Sequence, residues 1–184
     1  DDTLYSTSSI VEKARRSGLG MMRSSGLNVS EEILWKELEE IIGEFTSNHP
    51  NHFDKLLQRI PKSAYKNINP AVLIASGIVG YHNTKFKELV PFEDVLESFK
   101  LLSRTNLILG VITAGLTIKQ AEKLVRLGLL PYLEPHAIYI SEQIGISKPN
   151  PKLYQRVCSD LNLSPADCMS VSYTHLTLPT SFLV

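Results

Sequence analysis

The sequence predicts an α/β fold: a parallel sheet with helices on both faces and an all-helical segment inserted near its start. Three observations point there. The branched apolar run Leu107 to Thr113 ends on a hydroxyl and passes through Ala114-Gly115 into helical spacing from Thr117. Beyond Pro91, apolar runs and amphipathic stretches alternate, the grammar of strand–helix–strand units. Between Leu4 and Leu89, by contrast, only helical patterns occur.

Taken in order, DDTLYSTSS opens with two carboxylates and a polar cluster able to start a helix. Ile10, Ala14, Ser17 and Met21 then fall at helical spacing, with Gly18 and Gly20 weakening the end. Ser30 is placed to cap a second helix whose stripe is Ile33, Leu34, Leu38, Ile41, Ile42 and Phe45, and Glu31 and Glu32 suit its positive end. Phe53, Leu56, Leu57 and Ile60 mark a short third helix stopped by Pro61. Asn69-Pro70 opens a fourth, with Ala71, Ile74, Ala75, Ile78, Val79, His82 and Phe86 on one side.

After Pro91 a helix through Phe92, Val95, Leu96, Phe99 and Leu102 leads into the Leu107 strand, expected to be buried on both faces. The following helix shows Ile118, Ala121, Leu124 and Val125 on one face and Lys119, Gln120, Glu122 and Lys123 largely on the other, and Gly128 closes it. Ala137 to Ile140 reads as a strand, EQIGISKPNP as a loop, Leu153, Val157 and Leu161 as a helix stripe, and Cys168 to Val171 as a last strand. The tail SYTHLTLPTSFLV breaks this rhythm and reads as foreign to what precedes it.

Composition narrows the function classes. The 184 residues are 43% hydrophobic and 21% charged, as a soluble globular protein would be. Nineteen Lys and Arg balance 19 Asp and Glu, so no net field gathers nucleic acid. No apolar run approaches the roughly 20 residues of a membrane span. Cys158 and Cys168 are too few and too separated for a disulfide framework; they read as core residues, and the chain as cytoplasmic.

A strand that enters a small-residue turn and then a helix points backbone N–H groups beyond the strand end, where an anion is the natural occupant. Taken singly, Thr113, Lys148 and the terminal Asp1-Asp2 are ordinary residues. His49 and His52, in HPNH, read as a polar loop because Pro50 breaks the helical ligand geometry and no acid or cysteine completes a set. His82 and Phe86 read as helix packing before substrate contact, and Trp35 as packing.

In combination the pieces carry more. Asp-Asp-Thr-Leu-Tyr, a helical stretch, a strand ending Ile-Thr-Ala-Gly and then Gly-Ile-Ser-Lys-Pro-Asn-Pro, with Glu142 and Gly145 near Lys148-Pro149, resembles the haloacid dehalogenase-like hydrolases. The likeness is to the phosphatase branch whose helical cap follows the first motif. It implies a Rossmann-like parallel sheet core from 1–3 and 90–171, a helical cap over 4–89, and a foreign or disordered tail over 172–184. Asp1, Asp2 and Thr3 match the last three positions of the first motif. Asp1 then corresponds to the general acid/base, and its backbone carbonyl to a Mg²⁺ ligand. The nucleophilic Asp falls two positions ahead of Asp1, outside the sequence.

The resemblance also assigns Thr113 and Lys148 to holding the transferring phosphoryl group, with the backbone N–H groups of Ala114 and Gly115. Many relatives carry Asn where Ala114 stands. Ser172-Tyr173 stands where a metal-binding Gly-Asp is expected. The implied activity is Mg²⁺-dependent hydrolysis of a small phosphorylated metabolite through an aspartyl-phosphate. The chain reads as a fragment, and the 184-residue polypeptide as catalytically silent. Two rivals stand beside this: a non-catalytic phosphometabolite-binding or interaction module, and a 2-haloacid dehalogenase, against which Asp1 in the acid/base place argues. Neither the particular substrate nor the oligomeric state is written in the sequence.

Overall fold

A computed structural model describes residues 2–47 and 49–172, so Asp1, Asn48 and the tail from 173 onward lie outside the described residues. The chain divides into two compact units, one of Thr7–Glu88 and one joining Asp1–Ser6 to Leu89–Val184.

The first unit is all helical: α1 (Thr7–Ser24), α2 (Glu31–Phe45), α3 (His52–Arg59) and α4 (Pro70–Glu88). The caps are local chemistry. Ser30 Oγ accepts the Ile33 N–H at 3.4 Å, and Asn69 Oδ1 accepts the Ala71 N–H at 2.9 Å ahead of Pro70. Leu19, Met22, Leu34, Leu38, Ile41, Phe53, Leu56, Leu57 and Leu73 form the core.

The α1–α4 contact turns α4 away from its expected stripe. Its buried residues are Leu73, Gly77 and Gly80, while Val72, Ile78 and Val79 are exposed. Glycine decides this. A Cβ on Gly80 would lie 2.8 Å from the Ser17 carbonyl oxygen, and one on Gly18 would lie 2.8 Å from that of Gly77. The two backbones therefore approach more closely than side chains allow, and the larger apolar groups are carried to the other side.

The second unit holds α5 (Glu93–Leu102), β1 (Val111–Thr113), α6 (Thr117–Arg126), β2 (Ile138–Ile140), α7 (Ser141–Ile144) and α8 (Pro151–Asp160). β1 and β2 pair in parallel, Val111 opposite Ile138 and Thr113 opposite Ile140, with α6 in the crossover. The Phe92 N–H donates to the Leu4 carbonyl at 2.9 Å, joining the first residues to the segment that follows α4. No helix among the described residues is long and apolar enough to cross a membrane.

Four expectations are corrected here. The Leu107 strand is only Val111–Thr113 and is half-buried, with Leu107 and Ile108 exposed, because among the described residues β2 alone flanks it. Residues 168–171 form no strand; Met169 is 91% and Val171 77% exposed, and an apolar run that meets no ladder partner among the described residues has none of them to hold it extended. The thiols are not core groups: Cys158 is half-buried and Cys168 exposed, their sulfurs 3.8 Å apart and free. Finally, α6 buries Gln120 and Leu124, whereas Ile118 and Val125 are 79% and 61% exposed.

Candidate active site

At the C-terminal end of β1 the chain turns through Ala114, Gly115 and Leu116 into α6. Glycine is required at 115 on two counts. Its φ is +138°, and a Cβ there would lie 2.4 Å from Gln120 Nε2. That amide is held by the strand end itself, since the Thr113 hydroxyl donates to Gln120 Oε1 at 3.0 Å. This pairing explains why α6 turns a polar residue inward: the turn aims the first helical turn at the strand, and Gln120 satisfies the hydroxyl it meets there.

The loop after β2 supplies the other wall. Gly115 N–H donates to Ser141 Oγ at 2.9 Å, and Thr117 N–H donates to a Glu142 carboxylate oxygen at 2.6 Å. These bonds to Thr117, the backbone one first, hold the Glu142 carboxyl below the usual range. The expected anion at the start of α6 is thus present as an internal carboxylate. The backbone donor set is narrower than the sequence implies, because the Gly115 N–H is already engaged.

Lys148 comes back to the same strand. After Gly145, in the left-handed region at φ +79°, the chain runs to Lys148, whose Nζ donates to the Ile112 carbonyl at 3.4 Å, one residue before Thr113. Asn150 then caps α8 by accepting the Lys152 N–H at 3.0 Å. Lys148, distant in sequence from the consecutive Thr113, Ala114 and Gly115, thus returns to the end of β1 from which they follow. Asp1 lies outside the described residues, and Asp2 follows it at φ +52°.

Sequence reasoning missed Gln120 and Ser141. Nothing in a Lys-Gln pair on a charged helix marks one of them as buried, and the available signal was indirect: a strand-end hydroxyl needs a partner. Glu142 was noted only as part of a motif.

The other candidates are engaged elsewhere. His52 Nε2 donates to the Thr46 carbonyl at 2.9 Å, its ring sits 5.7 Å from that of His49, and burial pushes its pKa down. His82 stacks on Phe86 at 5.6 Å, and the Arg16 guanidinium lies 4.1 Å over the Trp35 ring. Among the described residues no three His, Cys, Asp or Glu side chains gather to hold a metal ion. These residues alone therefore do not fit a Mg²⁺ site.

What the arrangement can do is present a hydroxyl, a turn backbone and an ammonium to one anion. Comparison with known proteins places this arrangement in a family. Residues 1–172 match the family model described as haloacid dehalogenase-like hydrolase. A protein of Methanopyrus kandleri named glyceraldehyde 3-phosphate phosphatase is 42% identical over 173 residues, 93% of this chain and 71% of that one. Proteins of the same name from Methanothermobacter thermautotrophicus and Pyrococcus furiosus are 37% and 36% identical, covering 90% and 93% of this chain and 70% and 68% of theirs. Among solved structures, a Thermotoga maritima chain described as a candidate beta-phosphoglucomutase shares the fold at TM-score 0.63 and 18% identity, over 91% of this chain and 70% of that one. A Xanthomonas campestris hydrolase of the haloacid dehalogenase-like family aligns at TM-score 0.51 and 17% identity, over 89% and 65%. With strand, turn and lysine arranged as described, and a family match running from the first residue to Ser172, the chain belongs to the haloacid dehalogenase-like hydrolases.

Proposed function

We propose that the protein is a phosphatase of this family acting on a small phosphorylated metabolite, with glyceraldehyde 3-phosphate, the compound in its relatives' names, as the first substrate to try. The single observation that carries the reading is the return of Lys148 Nζ to 3.4 Å from the Ile112 carbonyl, beside Thr113. An ammonium and a hydroxyl at one strand end match the charge on a phosphoryl group in both ground and transition states. In this reading Thr113, the Ala114 N–H and Lys148 hold the phosphoryl oxygens, and Gly115 lets the backbone turn beneath them.

The reaction is displacement at phosphorus. A carboxylate forms the new P–O bond, the ester P–O bond breaks, and Asp1 donates a proton to the departing alkoxide. Water then cleaves the resulting aspartyl-phosphate, giving up its proton to Asp1. The attacking carboxylate belongs two positions ahead of Asp1, outside the 184 residues. Mg²⁺, the ion the family resemblance implies, would add positive charge to such a site. Its ligands would be the Asp1 carbonyl and acids not found among the described residues. The helical unit Thr7–Glu88 stands in the sequence where the resemblance implies a cap.

The 184-residue polypeptide is accordingly expected to bind phosphate without turning it over. Calorimetry with inorganic phosphate, alongside a phosphate-release assay on glyceraldehyde 3-phosphate with Mg²⁺, tests both halves. Binding that Lys148→Met weakens at least tenfold, with no release, supports the reading. Absence of phosphate binding overturns the site, and robust release by the 184 residues overturns the expectation of silence. Release that begins once an Asp is supplied two positions ahead of Asp1 and an acid beyond Val171 supports the enzyme over a pure binding module.

A further inference from the structure

The least expected feature of the strand end is Gln120, a side chain only 9% exposed on a helix whose apolar Ile118 and Val125 face outward. Its carboxamide is packed against Gly115 and its oxygen accepts the Thr113 hydroxyl proton at 3.0 Å. A hydroxyl has one proton to give. While Thr113 gives it to Gln120, it has none for an anion in the turn.

We propose that Gln120 is the positioning residue of the Thr113 hydroxyl, acting as acceptor in the empty site and as donor in the occupied one. The inference rests on the phosphatase reading given above. A carboxamide is nearly symmetric in shape, so a half-turn about its last torsion exchanges oxygen for NH₂ without repacking the buried side chain. After that turn Nε2 donates to Thr113 Oγ1, and the hydroxyl proton is released toward the phosphoryl oxygen. The contact between the two residues survives the exchange. The threonine rotamer therefore stays fixed while its proton changes direction, and the site is preorganised in both states. Gly115 is part of the device, because any Cβ there would occupy the space of the Gln120 amide nitrogen.

The test is a double-mutant cycle on the full chain, read by calorimetric titration with inorganic phosphate in the presence of Mg²⁺. Gln120→Met keeps length and helix preference but can neither accept nor donate strongly. We expect it to weaken phosphate about tenfold, Thr113→Val to weaken it by at least as much, and the double variant to be no weaker than Thr113→Val alone. Full and additive losses, or no loss in Gln120→Met, overturn the inference.

A measurement on the unmutated chain keeps the question open to refutation if Gln120→Met does not fold. Addition of phosphate should shift the side-chain NH₂ resonances of Gln120 in a ¹⁵N-labelled sample. The same addition should leave them in place in Thr113→Val. Unmoved resonances in the wild-type chain at saturating phosphate overturn the proposal. If the wild-type chain fails to bind phosphate at all, the phosphatase site itself is refuted, an outcome distinct from any result in which wild type binds and the Gln120 variant does so equally well.

Discussion

At Gly115 a single hydrogen in place of a methyl keeps the turn and its neighbours in register. Gly115→Ala would force a Cβ-bearing residue to φ +138° and push it to 2.4 Å from Gln120 Nε2. The expected destabilisation is about 1–3 kcal/mol, read by urea unfolding, with phosphate affinity falling as Gln120 is displaced from Thr113. Glu142 makes a second prediction at this scale. Its carboxyl is held below the usual range by the Thr117 N–H, so the folded state binds fewer protons there than the unfolded one. The stability it contributes is present above the unfolded carboxylate range and is lost as pH falls through the lowered folded value. Glu142→Gln should therefore be less stable than wild type near neutrality. The gap should close on acidification, and a gap that stays constant with pH would contradict the assignment.

Among the elements, α1 and α4 show what a glycine seam does to a helix pair. Gly18→Ala would set a Cβ 2.5 Å from Phe53 Cζ and 2.8 Å from the Gly77 carbonyl oxygen. Because the oxygen is backbone and cannot step aside, a loss of about 1–3 kcal/mol is expected in thermal or urea unfolding. Gly20, two residues on in the same helix, has no atom within 4 Å of its would-be Cβ. Gly20→Ala should accordingly stabilise the chain by up to about 1 kcal/mol through helix propensity alone. Opposite signs from identical substitutions in α1 would confirm that packing, not local preference, sets the seam. Equal effects would refute it.

Taken whole, the molecule consists of two units of different construction. Thr7–Glu88 owns a continuous core, from Leu19 and Met22 on α1 through Leu34, Leu38 and Ile41 on α2 to Leu73 on α4. Residues 7–88 expressed alone should give a helical circular dichroism spectrum and a cooperative thermal transition. A coil spectrum would show that the helices depend on the rest of the chain. The other unit builds its site on a sheet of only two described strands, with Leu107, Ile108, Ile118 and Val125 outward.

By itself the sequence determined the elements whose signals are local. Ser30, Asn69-Pro70, Pro61 and Gly128 mark helix ends because caps and backbone dihedrals act within a few residues, and the strand, turn and lysine motifs gave the family. What the sequence could not express were choices made by partners distant along the chain. Which face of α6 is buried was settled by Gln120 meeting the Thr113 hydroxyl, against the apolar count. Which face of α4 is buried was settled by backbone approach at Gly77 and Gly80, and residues 168–171 lack strand form because no ladder partner among the described residues meets them. Periodicity records how much apolar surface a segment carries. Only the folded arrangement decides which groups lie close enough to claim it, since hydrogen bonds and steric fit depend on distances of a few ångströms that spacing along a chain does not encode.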